Sequence, residues 1–381
     1  MLELTDQVAD LETQAEFRGA VRDFVRKAAP LAATRRYVDG AREYEPTVWQ
    51  RAAKELQVVD VGLPESVGGQ GAGLTITGVL FEEFGRTLVP CPLLGTVALA
   101  ANLLSRLGSA EAVADLRALA QGGGTATVGW VGESASWDPA QTPLLVSGTG
   151  PDVTVSGTLH HVIDGDVADT LYLVARHVEA ASSSALTVVA VSSGAPGLTT
   201  RRLESLDLTR PLARVELDDT PARVVAGPDA APAIAEALLV ATALLSVESA
   251  GAARAVMEQA VEYAKLRHQF GRPIGSFQAI KHKCADMLLK VELATAIAHE
   301  ALRQLDLDDT HAAALVHSAK AYTSQAFFEV ASEALQVHGG IGFTWEHDAH
   351  LFFRRAKASD ALFGNAVHHR ASVAVGEGWI A

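Results

Sequence analysis

The spacing of apolar residues predicts helices over the first part of the chain. Residues 15–32 read AEFRGAVRDFVRKAAPLA, in which Phe17, Val21, Phe24 and Val25 fall on one helical stripe. The segments TVWQRAAKELQVV, LTITGVLFEEFGRTL and GTVALAANLLSRL are also predicted to be helices, and the glycine-rich GLPESVGGQGAG is predicted to be a loop. We therefore predict an N-terminal helical domain over residues 1–120.

The pattern changes near residue 122, where Thr, Val, Ser and Gly become dominant. Short β-branched runs then recur between turn residues: TATVGWV, LLVSG, DVTVSGTLHHVI, DTLYLVAR, LTVVAVSS and LARVELDD. Such runs are typical of strands in an antiparallel sheet. We predict a middle antiparallel β domain over residues 121–228.

From residue 231 onward Ala, Leu, Glu and Lys take over, and the pattern becomes helical again. Long helices are predicted at residues 231–266, 277–305 and 312–337. We predict a C-terminal four-helix bundle over residues 229–381. The order of helices, strands and helices places the chain in the α+β class.

Composition limits the classes of function. The net charge of −14 makes nucleic acid an unlikely ligand on chemical grounds, because phosphate binding needs clustered Lys and Arg. The acidic first segment is not expected to be a secretory signal, and the strongly apolar run at residues 237–247 is too short to span a bilayer. The two cysteines, Cys91 and Cys284, fit buried thiols in a reducing cytoplasm better than a disulfide. No residue cluster predicts a metal site.

One stretch of the C-terminal region carries candidate chemistry for binding a nucleotide. Residues 263–287 read YAKLRHQFGRPIGSFQAIKHKCADM. Arg267 ends a predicted helix, and a guanidinium can grip a pyrophosphate through two parallel hydrogen bonds. Gln269 offers an amide beside the aromatic face of Phe270, and Gln278 begins the next predicted helix. Alternatively, Arg267 is an ordinary charge at a helix C-terminus.

A second stretch, QVHGGIGF at residues 336–343, is followed by RRAK. Its glycines let the backbone come close to a ligand without a clash from Cβ, and exposed N–H groups at such a turn suit a phosphate or an adenine. His338 is either a contact of that ligand or a helix-end histidine. A structural alternative also exists for Gly339 and Gly340, which can serve as a helix C-cap.

In this order and at this separation, the two stretches resemble the acyl-CoA dehydrogenase family, flavoproteins that desaturate acyl thioesters between Cα and Cβ. The resemblance implies FAD as cofactor, an acyl-CoA as substrate and an electron-transfer flavoprotein as electron acceptor. It also implies which residues hold the adenine and pyrophosphate end of an FAD seated on the neighbouring subunit: Arg267, Gln269, Phe270, Gln278, Gln336, Val337, His338, Gly339 and Gly340.

The sequence departs from the family pattern where the flavin ring and the catalytic base are expected. The catalytic Glu of the commonest branch precedes a glycine, and that position is Phe363, which cannot accept a proton. Another branch places its Glu near Ala241, which is also apolar. In the segment LHHVIDG, His161 and Ile163 replace the Trp and Thr that contact the flavin in the family, and VGWVGESASWDPAQ lacks most of the other flavin loop.

These departures favour a subunit of a hetero-oligomeric acyl-CoA dehydrogenase. Such a subunit would contribute its nucleotide-binding residues to the FAD of a homologous catalytic chain, and its own pocket would be vestigial. The first alternative is a self-sufficient homo-oligomeric dehydrogenase with Glu248 as the base. Against that role, Glu248 can instead pair with Arg254 or with another helix of the bundle. The second alternative is a non-enzymatic scaffold that binds no flavin.

Overall fold

The computed structural model describes residues 2–40, 42–178 and 185–379, with side chains described from residue 12 onward. These residues form two compact units, each made of separate segments of the chain. The helical unit comprises Met1–Glu43, Leu74–Val89 and Thr242–Ala381, and the β unit comprises Tyr44–Gly73 and Pro90–Ala241. The three-part division of the sequence at residues 120 and 228 stays a prediction.

Eleven α-helices occur in the described part of the chain. They are α1 (Leu2–Ala28), α2 (Leu31–Asp39), α3 (Pro46–Glu55), α4 (Gly73–Gly85), α5 (Asn102–Leu107), α6 (Ala110–Gly122), α7 (Ala231–Leu266), α8 (Gln278–Asp306), α9 (Ala312–His338), α10 (Ala349–Ala361) and α11 (Ala366–Gly376). The predicted helix GTVALAANLLSRL begins as a π-helix over Leu94–Ala101 and continues as α5. The C-terminal helical region thus contains three long helices and two shorter ones.

The strands are β1 (Ala126–Gly129), β2 (Leu145–Ser147), β3 (Asp152–Ile163), β4 (Thr170–His177), β5 (Thr187–Ser192), β6 (Leu198–Arg202), β7 (Leu212–Ala226), β8 (His268–Gln269) and β9 (Arg272–Pro273). The first seven form one sheet in the β unit, in which the pairings of β4, β2, β3, β7 and β5 close into a ring. Most neighbours are antiparallel as predicted. However, β1 and β2 both run parallel to β4, so the sheet is mixed. The long connections between these strands provide the crossovers that parallel pairs require.

The core of the β unit lies inside this ring of strands. It consists mainly of Val, Leu and Ala side chains from alternate strand positions, as the β-branched runs of the sequence suggested. The π-helix packs on β1, where the hydroxyl of Thr96 exchanges hydrogen bonds with both the N–H and the C=O of Ala126. Thr96 is fully buried, so these two bonds satisfy a polar group that would otherwise be costly to bury.

In the helical unit, the apolar stripe predicted on α1 faces the core. Val21, Phe24 and Val25 are buried, and Phe17 is half-buried. The ring of Phe24 stacks on that of Phe84 in α4, with 6.2 Å between centroids. The prediction made from the spacing of these residues is confirmed.

Two glycines let α4 and α7 approach closely within the helical unit. A Cβ built on Gly85 would lie 2.4 Å from the carbonyl oxygen of Glu248, and one built on Gly251 would lie 2.2 Å from that of Glu82. Side chains at these positions would force the two helices apart. The close approach therefore places Glu248 at the crossing of α4 and α7.

Helix α7 is also the helix most similar in composition to a membrane span. By length and composition it could cross a bilayer, but 67% of its most apolar window is buried inside the protein. A core helix of this length gives the same apolar signal, because it contacts other protein elements on most sides.

Candidate functional site

The segment after α7 forms a short β-hairpin rather than a simple helix break. Strands β8 and β9 pair antiparallel, with Phe270 and Gly271 between them. Both of these residues have positive φ, 54° and 78°, which is the geometry of a type I′ turn. A bulky residue such as Phe270 rarely adopts this conformation. The turn nevertheless holds its ring at the tip of the hairpin, 91% exposed.

Arg267 lies at the base of this hairpin, and its backbone is fixed on both sides. Its N–H donates to the carbonyl of Tyr263 at 2.8 Å, and its carbonyl accepts from the N–H of Ile274 at 2.8 Å. Its side chain is exposed, and within the described ranges its guanidinium makes no ion pair or hydrogen bond. Arg267 thus presents a charged, five-donor group from a fixed backbone, as binding of an anion requires.

Aromatic contacts hold the hairpin against the start of α8. The guanidinium of Arg272 lies over the ring of Phe277, 4.1 Å from its centroid, and Phe270 meets the same ring edge-on at 6.0 Å. Gln269 and Gln278 are both exposed on this surface. The predicted aromatic face and the two amides therefore lie on one exposed part of the molecule, next to Arg267.

The second predicted stretch forms the end of α9 and a tight 3₁₀ turn over Gly339–Phe343. Gly339 has φ 65° and ψ −143°, a conformation available essentially to glycine alone. A Cβ at Gly339 or Gly340 would meet nothing within 4 Å, so both positions face open space. Gln336 is exposed one turn earlier. The backbone of this turn is accessible to a ligand, in agreement with what its glycines predict.

Two predicted contact residues in this stretch have buried side chains. Val337 and His338 face the interior, so only their backbones can meet a ligand. Nδ1 of His338 lies 2.7 Å from the carbonyl of Ala334, and its ring contacts those of Tyr263 and His347, at 4.7 and 4.2 Å between centroids. Burial lowers the pKa of His338. The contact with Tyr263 sets the glycine turn beside the last turns of α7.

Two ion pairs hold the end of α9, which carries Gln336 and the glycine turn, against α8. Lys283 of α8 donates to the carboxylate of Glu333 of α9, and Lys290 does the same to Glu329 at 2.6 Å. The first pair lies one turn before Gln336 and near the start of α8. The structure therefore groups the ends of α7 and α9 with the start of α8. We use the name nucleotide surface for the half-buried Gly339 together with the exposed residues Arg267, Gln269, Phe270, Gln278, Gln336 and Gly340.

Glu248, the candidate base, lies away from this surface and has a charged partner. Its Oε1 accepts a hydrogen bond from Nη1 of Arg355 in α10 at 2.8 Å. Arg254, the partner considered from the sequence, pairs instead with Glu292 of α8 at 2.9 Å. Glu248 therefore makes an ion pair with another helix of the unit, and its role as a base stays a prediction.

Phe363, which the sequence resemblance places at the position of the usual base, is held in a fixed loop after α10. Its side chain is buried and its φ is 59°. The buried Lys320 of α9 donates to the carbonyls of Ser359, Asp360 and Gly364 at 2.9 to 3.3 Å, on both sides of Phe363. This role of Lys320 could not be predicted, because a lysine within an apolar helix carries no local signal of its partners.

Helix α8 carries an exposed apolar stripe that was not predicted. Leu288, Leu289 and Leu293 are exposed although they lie in a helix that packs against α9. With the exposed Ala285 and Ala296, they recur at spacings of three to four. This period was readable from the sequence as a second apolar face. An apolar stripe of this kind on a folded unit is typical of a protein–protein contact.

The sequence of this chain matches known proteins over both of its helical regions. The family profile described as "Acyl-CoA dehydrogenase, C-terminal domain" matches residues 231–376, and the profile "Acyl-CoA dehydrogenase, N-terminal domain" matches residues 11–122. The chain is 34% identical to acyl-CoA dehydrogenase IpdE2 of Mycobacterium tuberculosis, over 92% of this chain and 93% of that protein.

Solved structures give the same result. The ChsE4-ChsE5 complex from Mycobacterium tuberculosis contains a chain with a TM-score of 0.85 and 26% identity, over 97% of this chain and 98% of that one. Butyryl-CoA dehydrogenase from Megasphaera elsdenii has a similar fold, with a TM-score of 0.87 and 21% identity, over 95% of this chain and 97% of that one. The profiles and the relatives together extend over nearly the whole sequence, and the chain belongs to the acyl-CoA dehydrogenase family.

Proposed function

We propose that this chain is one subunit of a hetero-oligomeric acyl-CoA dehydrogenase, which desaturates an acyl-CoA thioester between Cα and Cβ. The observation that carries the proposal is the exposed guanidinium of Arg267 beside the exposed ring of Phe270. An almost fully exposed Phe ring next to an exposed guanidinium is typical of a surface that contacts another molecule, because aromatic residues and Arg are enriched at such contacts. The nucleotide end of an FAD bound to a partner subunit matches both groups.

FAD is the cofactor of this family, and the nucleotide surface fits its adenine and pyrophosphate end. Arg267 can hold pyrophosphate oxygens through parallel N–H groups, and Gln269 and Gln278 add neutral donors and acceptors. The open backbone at Gly339 and Gly340 allows a close approach without a Cβ. When bound, FAD supplies the acceptor for the hydride that leaves the β-carbon of the substrate.

Proton transfer is assigned to the partner subunit in this proposal. Desaturation also removes a proton from the α-carbon, and a positioned base contributes roughly 10²- to 10⁴-fold to such a step. Phe363 has no group that accepts a proton, and the carboxylate of Glu248 is already paired with Arg355. The chain would therefore contribute cofactor binding, while its partner would contribute the base and the site of the flavin ring.

The exposed apolar stripe of α8 supports a contact with a second subunit. A partner that covers Leu288, Leu289 and Leu293 would remove their apolar surface from water. Such burial stabilises a complex by about 25 cal/mol per Å² of apolar area. We further propose a homologous chain as that partner, in the cytoplasm, and an electron-transfer flavoprotein as the acceptor of electrons from the complex. A relative of this chain is found in the ChsE4-ChsE5 complex, which is consistent with a paired arrangement.

The test is the flavin content of the chain purified alone and after co-expression with acyl-CoA dehydrogenase chains encoded by neighbouring genes. We expect the chain alone to be colourless, and a complex with its partner to show a flavin spectrum and acyl-CoA dehydrogenase activity. One FAD per protomer in the chain alone would instead identify a self-sufficient enzyme. A colourless protein with every co-expressed chain would identify a scaffold.

A further inference from the structure

The family resemblance places flavin contacts in two loops of the β unit, residues 128–141 and 159–165, and the structure packs these loops against each other. Trp130 follows β1 directly, and its side chain is almost completely buried. Its Nε1–H donates to the carbonyl of Trp137 at 3.0 Å. The two indole rings meet edge-to-face, with 5.7 Å between centroids and 69° between planes. This is a favoured geometry for an aromatic pair.

The opposite wall of this face is formed by the end of β3. The N–H of His160 donates to the carbonyl of Val131 at 2.7 Å, which ties the strand to the residue after Trp130. His161 has φ 57°, an uncommon conformation for a residue other than glycine, and it turns here from the strand path. Burial, and then the charge of His160, lower the pKa of His161.

Little space remains between these walls. The cavity lined by Trp130, Trp137 and His161, together with the adjacent residues of β1 and β3, has a volume of about 10 Å³. A cavity of that size holds about one water molecule. Sites for cofactors and drug-sized ligands measure roughly 300–1,000 Å³.

The loop that carries Trp137 is anchored, so it does not act as a free flap. Oδ1 of Asp138 accepts a hydrogen bond from the N–H of Ala140 at 3.0 Å, and the carbonyl of Asp138 accepts one from the N–H of Gln141 at 3.0 Å. The hydroxyl of Thr142, which is fully buried, donates to the carbonyl of Val174 in β4 at 2.7 Å. The loop is thus fixed immediately after the tryptophan.

We infer that Trp130, Trp137 and His161 occupy the flavin-ring position of this chain's own β unit, and that a pair formed by this chain and its partner therefore carries a single FAD. The inference rests on the proposed function, because it assumes a partner that holds the ring. It adds that a specific aromatic filler closes the flavin-ring position of this chain, which is therefore not an open site that merely lacks its hydrogen-bonding groups.

Lumiflavin, the flavin ring without its nucleotide, tests this inference in the FAD-loaded complex. The Trp137→Ala variant removes one ring of the filler but keeps the carbonyl that accepts from Trp130. We expect the wild-type complex to bind no lumiflavin beyond its one FAD, and the variant to bind it at least tenfold more tightly, as measured by quenching of lumiflavin fluorescence. Trp379→Ala, which removes an exposed tryptophan of the helical unit, is the matched control and should behave as wild type.

Two results would overturn the inference: a wild-type pair that carries two flavins, or a folded Trp137→Ala variant that binds lumiflavin no better than wild type. Failure of the proposed function gives a different result. In that case the pair would carry FAD whose retention does not depend on Arg267, whatever the number of flavins. Two flavins per pair with dependence on Arg267 would reject the filler and leave the proposed function in place.

Discussion

The guanidinium of Arg355 donates a hydrogen bond to the carboxylate of Glu248 at 2.8 Å, and it joins α10 to the crossing of α4 and α7. The side chain of Arg355 is 3% exposed and that of Glu248 is 13% exposed. In such surroundings the ion pair offsets part of the free energy that is lost when the two charges are removed from water. This relationship gives Glu248 a structural role whether or not it also acts in catalysis.

We predict that Glu248→Gln lowers the stability of the chain much more than the activity of the complex. Loss of the carboxylate charge removes one half of an almost completely buried ion pair, at a cost of about 3 kcal/mol. Urea unfolding measures this cost, and steady-state turnover of the complex should fall less than threefold. A fall of 100-fold or more in turnover with unchanged unfolding would instead identify Glu248 as the base.

Phe270→Asn should separate stability from cofactor binding. Asn-Gly is the preferred sequence for a type I′ turn, so the variant relieves the strain of a Phe at φ 54° and should stabilise the chain by about 1 kcal/mol. It also removes the exposed ring, so the complex should bind FAD more weakly. Thermal unfolding and FAD titration measure the two effects. Unchanged FAD affinity would show that the ring does not contact the nucleotide.

The histidine pair of α9 and α11 predicts a loss of stability in acid. Nδ1 of His317 lies 2.8 Å from Nδ1 of His369, and burial, followed by the charges of Lys320, His317 and His368, lowers the pKa of His369 to about 3. Between the usual histidine pKa and this value, the unfolded chain binds more protons than the folded one. Stability should therefore fall as the pH decreases, by about 2 kcal/mol between pH 7 and pH 5 from this group.

Urea unfolding of His369→Asn at the two pH values tests this contribution. The variant should lose about 2 kcal/mol less than wild type on acidification, because it lacks the group that must stay neutral when folded. His311→Asn, at an exposed histidine before α9, is the matched control and should keep the wild-type pH dependence. An unchanged pH dependence in His369→Asn would contradict the assignment.

The close contact of α4 and α7 predicts opposite effects for two Gly→Ala substitutions. In Gly251→Ala the new Cβ would lie 2.2 Å from the carbonyl oxygen of Glu82, a backbone atom that cannot move aside, and we expect a loss of about 2 kcal/mol or more. Gly19→Ala, in the exposed middle of α1, meets nothing within 4 Å and should gain about 0.5–1 kcal/mol. Chemical unfolding compares the two, and equal effects would contradict the close packing.

Much of the fold could be predicted because its elements follow simple periods. The three long C-terminal helices were predicted to within about a residue at each end, because long apolar periods and Gly or Pro breaks define them. The parallel pairings of β1 and β2 with β4 could not be predicted, because a strand's sequence does not show the direction of its neighbour. The π-helix before α5 also has no distinct sequence pattern.

The candidate site was only partly predictable. The exposed positions of Arg267 and Gly340 agree with expectation, because a charged residue at a helix end and a glycine turn are local features. The hairpin at Phe270 was not expected, because bulky residues rarely have positive φ. Glu248 pairs with Arg355, and Lys320 holds the carbonyls on both sides of Phe363. Both contacts join residues that are distant in the sequence. No local pattern reports contacts of that kind.

The binding of FAD to the co-purified complex tests the central claim most directly, that this chain completes a cofactor site on another subunit. We predict that Arg267→Ala weakens FAD binding by about 10- to 100-fold, since a hydrogen bond to a charged group contributes about 1.5–3 kcal/mol. Arg303→Ala, at an exposed arginine near the end of α8 that pairs with Glu300, should leave the affinity unchanged. Wild-type FAD affinity in an intact Arg267→Ala complex would contradict the account.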